Sequence, residues 1–583
     1  MGQEPLSYFL TESQKIESVN TKKKIKIALL SSFTLNGLPE VLRVKCDQKN
    51  INCEVFLGGY NQYSQEILDK NSELYSFKPD LTFLLIDLRS ILGNLFISPY
   101  SISSKDRKNI ANQKINEICN LISSFKKIST SKLIVSNFDI PITSPHGISD
   151  TTNKFGFYEM VQTMNLELQK NIHSFESVYL YNFNGFIKKF GENNIFDYRN
   201  FFFGDVKIEL NHLPYLGNEL FSYVIAFLGL TKKCIVLDLD NTLWGGIIGE
   251  DGIDGIELGL APPGNVFHEF QSNLKALSQR GIILAINSKN NFDDAIKVIR
   301  EHPHMVLREE DFACMVINWG NKVENMKAIS KQLNIGLDSF VFFDDDPVNR
   351  EFIRQNLPEV ITPELQLDPS NFSKILLDLN EFSTFKITDE DIQRKKSYSD
   401  QKKRIELEKS SQNIDDFLRS MDLKLTIKKA TSFTIPRISQ LTLKTNQFNL
   451  TTKRYQEKNI KQFAENPNML IGCAQVEDKF GDNGITGVFI VNKNNPKEWE
   501  LDTFLLSCRI MGREIEKGVM NYLIEEAKKD NVERIIANYI PTEKNKPVEN
   551  FLTSCNFEKM NDYWVFPITK PFKNPDFLKV DIE

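Results

Sequence analysis

Residues 234–246 read CIVLDLDNTLWGG, an apolar run that closes on Asp238 and Asp240. An unbroken apolar stretch of this length, entered through Lys232 and Lys233, suits a strand buried on both faces of a parallel sheet. The two aspartates then stand at its tip. Two further runs share the pattern: GIILAINSK at 281–289 and SFVFFDDDP at 339–347. Each ends in polar residues, and in an open parallel sheet the carboxyl ends of the strands form the edge where ligands bind.

An aspartate at such a tip can attack phosphorus as a nucleophile. A second carboxylate two residues on points the same way, a spacing that the alternation of a strand supplies, and can move protons. Phosphoryl transfer also needs its charge neutralised, usually by Mg²⁺ held on a few carboxylates and waters. Asp238 and Asp240 together with Asp344 and Asp345 are the candidate ligands. Ser288 is placed to hydrogen-bond a phosphate oxygen, and Lys322, in NWGNKVENM, to contact phosphate and keep Asp238 ionised. A single DxD is as readily a solvated turn. The ordered set of strand-DxDNT, strand-NS, lysine and strand-DD argues against that reading here.

This set resembles the haloacid-dehalogenase (HAD) superfamily, whose four motifs match Asp238/Asp240, Ser288, Lys322 and Asp344/Asp345. More narrowly, DLDNTLWGGIIGEDG with INSKN, NWGNK and FFDDDPVNRE resembles the FkbH-like subfamily, phosphatase-like proteins implicated in glyceryl transfer. Members often read DDNP where this chain has Asp345-Asp346-Pro347, an extra acid beside the ligand positions.

Upstream, KIKIALL (24–30), DLTFLLIDL (80–88) and LIVSN (133–137) alternate with helical stretches such as 108–125, as a doubly wound parallel sheet requires. SSFT at 31–34, GYNQY at 59–63 and His212 resemble in order a degenerate SGNH-hydrolase-like domain; without the GDS signature, Ser32 reads as a turn or cap residue and the unit as binding or scaffold. Downstream, KLTIKKA (424–430), TGVFIV (486–491) and WELDTFLLSC (499–508) read as strands and 514–528 as a helix, an α+β unit. LLSCRIMGRE (505–514) resembles the phosphate-binding element of GNAT acyltransferases, with Cys508, Arg509 and Gly512 at an expected helix start, and Glu514 where a glycine is usual. Cys508 is either a small buried hydrophobe or an acceptor thiol made acidic by the helix start and Arg509. TNQFNLTT (445–452) and FGDNG (480–484) also recur in FkbH-like proteins.

The expected organisation is α/β throughout. An SGNH-like doubly wound domain spans 1–228 and a HAD Rossmann-like domain 229–388. A charged helix or linker follows at 389–412, and a GNAT-like α+β domain at 413–583. At 583 residues the chain exceeds one core and suggests roughly three or four domains. The balance of 71 basic against 77 acidic residues offers no polybasic patch for nucleic acid. No apolar run reaches the roughly 18 residues of a spanning helix, so a cytoplasmic location is expected. The eight cysteines form no CxxC pair and the six histidines no HExxH, which argues against a disulfide framework or a transition-metal site.

The resemblance implies a Mg²⁺-dependent enzyme that dephosphorylates a phosphorylated three-carbon acyl donor, with 1,3-bisphosphoglycerate as the implied donor. It would load the acyl group through Cys508 onto an acyl carrier protein. The alternatives are a plain small-molecule phosphatase, or a GNAT-type N-acyltransferase with a regulatory HAD domain.

Overall fold

The computed structural model describes residues 4–16, 23–388, 391–392, 404, 407, 413–542 and 544–583. The chain divides into two compact units, Met1–Val224 and Ile225–Glu583. Among the described residues no helix is long and apolar enough to cross a membrane.

The first unit carries β1 (Lys23–Ser31), β2 (Ile51–Leu57), β3 (Leu81–Leu85), β4 (Lys132–Ser136) and β5 (Val178–Tyr181), all parallel in the order β2-β1-β3-β4-β5. β1, β3 and β4 are the three strands read from sequence. β2, INCEVFL, is an edge strand interrupted by polar residues, so its hydrophobic signal is weak. Long helices such as Ser104–Ile128 bury an apolar stripe (Ala111, Ile115, Ile118, Ile122, Phe125) on the sheet.

The second unit begins with β6 (Cys234–Leu237), β7 (Ile283–Ser288), β8 (Phe312–Ile317) and β9 (Phe340–Phe343), a parallel sheet ordered β8-β7-β6-β9. β6, β7 and β9 are buried along their whole length, which explains why they read as continuous apolar runs. One apolar cluster covers each face: Leu237, Leu284 and Phe343 lie in one, Val236, Ile283 and Phe342 in the other.

The same unit holds a mixed sheet of β10 (Lys424–Lys429), β11 (Phe448–Asn449), β12 (Met469–Asp478), β13 (Gly481–Asn495), β14 (Glu498–Leu506), β15 (Arg534–Ala537), β16 (Glu558–Met560), β17 (Tyr563–Pro567) and β18 (Lys579–Ile582). Its order is β16-β17-β15-β14-β13-β12-β10-β18, with β11 paired to β14. The hairpin run β12-β13-β14 continues through a parallel β14–β15 step, spanned by the helix Ile515–Lys529. This is the α+β architecture expected for the carboxyl-terminal third. Most of the charged stretch 389–412 lies outside the described residues. Within it Arg404 is not solvated as expected but buried, forking onto Asp478 with Nε at 2.8 Å and Nη2 at 2.9 Å.

Candidate active site

The carboxyl edge of the β6–β9 sheet collects the phosphatase motifs. Asp238 follows β6, and its N–H donates to Phe343 O (2.9 Å), tying the first motif to the end of β9. One oxygen each of Asp238, Asp344 and Asp345 lie within 4.8 Å of one another. Lys322, at the start of the helix Lys322–Leu333, reaches into this group from below. Its Nζ is 2.9 Å from Asp238 Oδ2 and also contacts Asp344 Oδ2, and the lysine is only 2% exposed. Burial works against its charge, but Asp238 and Asp344 outweigh it and hold the ammonium above its ordinary range.

The electrostatics ask for more positive charge. Three carboxylates against one lysine leave a net deficit in a buried site. Burial, then the charge of Asp238, pushes both Asp344 and Asp345 up to about 6. Asp238 Oδ1 is buried and has no hydrogen-bond partner among the described residues. An orphaned carboxylate oxygen beside two other acids fits a small divalent cation bound through oxygen ligands.

The supporting contacts are local. Thr242, fully buried, donates from Oγ1 to Asp345 Oδ1 (3.3 Å) and accepts from Asp345 N–H (3.2 Å). Arg350 is buried behind the last motif and donates from Nη1 to the carbonyls of Asp344 (2.9 Å) and Asp345 (2.6 Å), while Nη2 holds Glu364 (2.7 Å). Sequence reading missed Arg350, and its one signal was position: it lies on the helix that opens immediately after the acidic run. Asp346, the extra acid, caps that helix, Pro347–Asn356, by accepting from Val348 N–H (2.8 Å).

Asp240, expected as a metal ligand, is not in the carboxylate group. Its Oδ1 accepts from Trp244 Nε1 (2.9 Å) and Ile248 N–H (3.1 Å), and its Oδ2 from Asn290 Nδ2 (2.9 Å). The strand ends at Leu237 and Asn241 turns with φ 51°, so the alternation invoked for Asp240 does not extend to it. Ser288, buried at the end of β7, is linked to the same network, its Oγ accepting from Asn290 Nδ2 (3.3 Å).

Cys508, Arg509 and Gly512 lie elsewhere. Cys508 opens a short 3₁₀ turn, Cys508–Ile510, after β14; the α-helix starts only at Ile515, behind Glu514 at φ 56°. The helix read at 514–528 is thus found at Ile515–Lys529, but Cys508 stands before it rather than at its amino terminus, and Lys517 pairs with Glu514 at that end. The carbonyl of Cys508 accepts from Asn334 Nδ2 (2.6 Å), at the end of the helix Lys322–Leu333. Gly512 takes φ +76°, a backbone region that disfavours side chains, which accounts for the glycine. The neighbours of Cys508 across the cleft, Lys233 and Ser339, precede β6 and β9. Cys508 thus faces the amino edge of the sheet whose carboxyl edge bears Asp238, with four-residue strands between, roughly 13 Å.

In the first unit Ser32 is a turn residue: it is buried, and its Oγ accepts from Asp87 N–H (2.8 Å). His212 pairs with Glu209 (3.0 Å). Lys207 occupies the middle of this edge, buried between Asp87 and Asp139 (3.0 Å). Burial opposes its charge, yet the two aspartates prevail and keep it cationic. A carboxylate locked by a lysine does not serve a Ser-His relay.

Residues 26–225 match the family model described as FkbH, N-terminal domain. The chain is also similar to the crystal structure of the N-terminal part of the protein BF1531 from Bacteroides fragilis, containing a phosphatase domain complexed with Mg. Identity is 31% and the TM-score 0.61, over 65% of this chain and 99% of that one. The chain belongs to the FkbH family. Its carboxyl-terminal third overlaps a spermidine N-acetyltransferase from Vibrio cholerae (11% identity, TM-score 0.21, 25% of this chain and 96% of that one). It likewise overlaps a GNAT-family acetyltransferase from Staphylococcus aureus (13%, 0.21, 25% and 99%). No curated protein sequence matches the chain. This FkbH-family member therefore joins an FkbH amino-terminal domain to a phosphatase-type site, and carries beyond it a third sheet defined by its own strand order.

Proposed function

We propose that the chain is a Mg²⁺-dependent phosphatase and acyl transferase acting on a phosphorylated three-carbon acyl donor, 1,3-bisphosphoglycerate by family resemblance, and delivering the acyl group to a carrier-protein thiol. The observation that carries the phosphatase half is the group of buried Asp238 and Asp344 with half-buried Asp345 around an Asp238 Oδ1 that has no hydrogen-bond partner among the described residues. These three residues would hold Mg²⁺, which when bound neutralises charge on the transferring phosphoryl group. The Asp238 carboxylate oxygen that would not ligate the cation attacks phosphorus, the bond from phosphorus to the substrate oxygen breaks, and that oxygen leaves with the electron pair. Asp240, oriented by Trp244 and Asn290, supplies its proton and then takes one from the water that hydrolyses the aspartyl-phosphate. Lys322 keeps the nucleophile ionised, and Ser288 donates to a phosphoryl oxygen.

The acyl half runs at a separate station: a thiol attacks the acyl carbon, a C–S bond forms, the C–O bond to the acyl phosphate breaks, and inorganic phosphate leaves with the electron pair and takes up the thiol's proton, while Asp238 acts on the other phosphate, the ester. Cys508 is the candidate thiol. Its place at the amino edge means that a substrate at Asp238 does not touch it. This separation equally favours a second reading, a plain small-molecule phosphatase whose third sheet serves recognition.

Intact-mass measurement with 1,3-bisphosphoglycerate and Mg²⁺ separates the two. The leading reading expects an acyl adduct lost in Cys508→Ser, with phosphate release by turnover lost in Asp238→Asn, where only the single phosphate displaced on forming the adduct remains, but kept in Cys508→Ser. Phosphate release without any adduct leaves the plain phosphatase. Full turnover by a folded Asp238→Asn variant removes the phosphatase assignment itself.

A further inference from the structure

Two thiols of the first unit meet where the helix Leu38–Asp47 turns back into β2. Cys46 is the last residue but one of that helix, and Cys53 is the third residue of the strand. Only Gln48, Lys49 and Asn50 connect the two elements, and Asn50 reverses the chain at φ 55°. So short a reversal lays the end of the helix on the start of the strand. Alternation along β2 puts Cys53 on the same face as Ile51, which is buried. The two side chains are joined there by a hydrogen bond between their thiols. The six residues between them match no CxxC spacing, so the pair left no signal in the sequence.

The partners differ in access. Cys46 is 0% exposed, whereas Cys53 is partly exposed. β2 stands at the end of its sheet and, among the described residues, pairs only with β1, where Ile25 lies opposite Cys53. A small solute therefore reaches Cys53 from the open edge and finds Cys46 behind it. The hydrogen bond to Cys53, and then burial, hold the Cys46 thiol above its ordinary range, so the inner sulfur is not the one that meets an oxidant first. Packing alone does not call for the pair. A buried thiol behaves as a small hydrophobe with a weak S–H donor, and an aliphatic side chain fills that role as well.

We propose that Cys46 and Cys53 form a reversible dithiol–disulfide pair that takes a hydroperoxide as its oxidant, with Cys53 oxidised first and Cys46 as the resolving thiol. In the first step the Cys53 sulfur attacks a peroxide oxygen and the O–O bond breaks. The departing oxygen takes the thiol's proton, and Cys53 is left as a sulfenic acid. In the second step the Cys46 sulfur attacks the Cys53 sulfur and the S–O bond breaks. The hydroxide released takes the Cys46 proton and leaves as water. Two thiols are oxidised to one disulfide and one hydroperoxide is reduced; thiol–disulfide exchange with a dithiol reductant reverses the change. The bond pins the end of the helix, next to buried Lys45, to the edge strand. This chemistry is independent of the group at Asp238.

Peroxide treatment of the folded full chain, followed by alkylation with N-ethylmaleimide in denaturant and peptide mass mapping, tests it. The expected product is a peptide pair linked through Cys46 and Cys53, with both thiols recovered after dithiothreitol. Cys119, also partly exposed but on the helix Ser104–Ile128, is the internal control. The linked product should form at least about tenfold faster than Cys119 is oxidised. In Cys46→Ser the reaction should stop at a Cys53 sulfenic acid that dimedone captures, and in Cys53→Ser the Cys46 thiol should survive. Circular dichroism checks that each variant is folded, and Cys46→Ala replaces Cys46→Ser where the buried hydroxyl costs the fold. Survival of both thiols at peroxide levels that oxidise Cys119, a sulfenic acid at Cys53 in the parent that never links to Cys46, or linkage in the denatured chain alone overturns the assignment.

Discussion

Replacing Lys322 by methionine isolates the electrostatics of the site, because the side chain keeps nearly its length and loses only its charge. In the native protein this ammonium is 2% exposed and lies 2.9 Å from Asp238 with Asp344 on its other side. Its removal leaves three carboxylates, two of them buried, within 4.8 Å of one another and without the ammonium that paired with Asp238 and Asp344. Breaking a buried ion pair by removing one partner typically costs about 3–5 kcal/mol. For the unit Ile225–Glu583 that corresponds to a fall in melting temperature of about 4–7 °C in metal-free protein. A divalent cation restores the missing charge, so Mg²⁺ should raise the melting temperature of Lys322→Met by several degrees more than that of the parent. The assay is thermal unfolding by circular dichroism at pH 7.5, with chelator and then with millimolar MgCl₂. A variant that melts with the parent when metal-free, or that gains no more from Mg²⁺ than the parent does, would refute the reasoning that Lys322 and the cation share one pool of negative charge.

Three other perturbations read separate parts of the molecule. Asp240→Asn is expected to lower kcat for phosphate release by about 10²–10⁴-fold while leaving the Mg²⁺ requirement unchanged, since its carboxylate is held by Trp244, Ile248 and Asn290; a shifted Mg²⁺ titration would return it to the ligand set. Arg350→Lys loses the fork onto the Asp344 and Asp345 carbonyls, and a rise of about tenfold in the Mg²⁺ concentration for half-maximal rate is expected; an unaltered titration means the loop is held by other contacts. Lys45, buried in the first unit near Phe9 and Asn218, has its pKa pushed down to about 8 by burial. A lysine whose folded value lies below its unfolded value destabilises fully below pH 8, and the cost fades as pH rises from 8 toward 10.5. Lys45→Met should therefore stabilise the chain by about 1–3 kcal/mol at pH 7, and the gain should shrink steadily above pH 8 and be lost only above pH 10.5; melting curves showing a pH-independent difference would exclude this cause.

The phosphatase half of the protein was legible because it depends on local order. A four-residue apolar strand that ends on Asp238 can hardly be read otherwise, and the parallel register of β6, β7 and β9 automatically brings their tips to one edge. Lys322 was also legible, since a lysine opening a helix one strand before Asp344 points at the same edge. What sequence could not decide was direction. Asp240 lies beyond the last strand residue, and whether it faced the metal group or Trp244 depended on the Asn241 turn. Asp346 looked like a further acid beside the site, and only the helix behind it makes it a cap. The charge of Lys207 was equally opaque, because Asp87 and Asp139 reach it from separate strand ends.

Cys508 shows the limit most clearly. From sequence alone it belonged to a strand end followed by a helix, and both predictions concern neighbours a few residues away. The strand and the helix were found where expected, but Cys508 lies in a 3₁₀ turn ahead of the helix, and the residue that holds the Cys508 carbonyl is Asn334, far along the chain. Hydrophobic periodicity and turn chemistry determine which segments become strands and helices, since those forces act within a few residues. Which edge of which sheet a thiol faces is decided by how two lobes pack, through contacts of long sequence separation that leave no periodic trace in the chain.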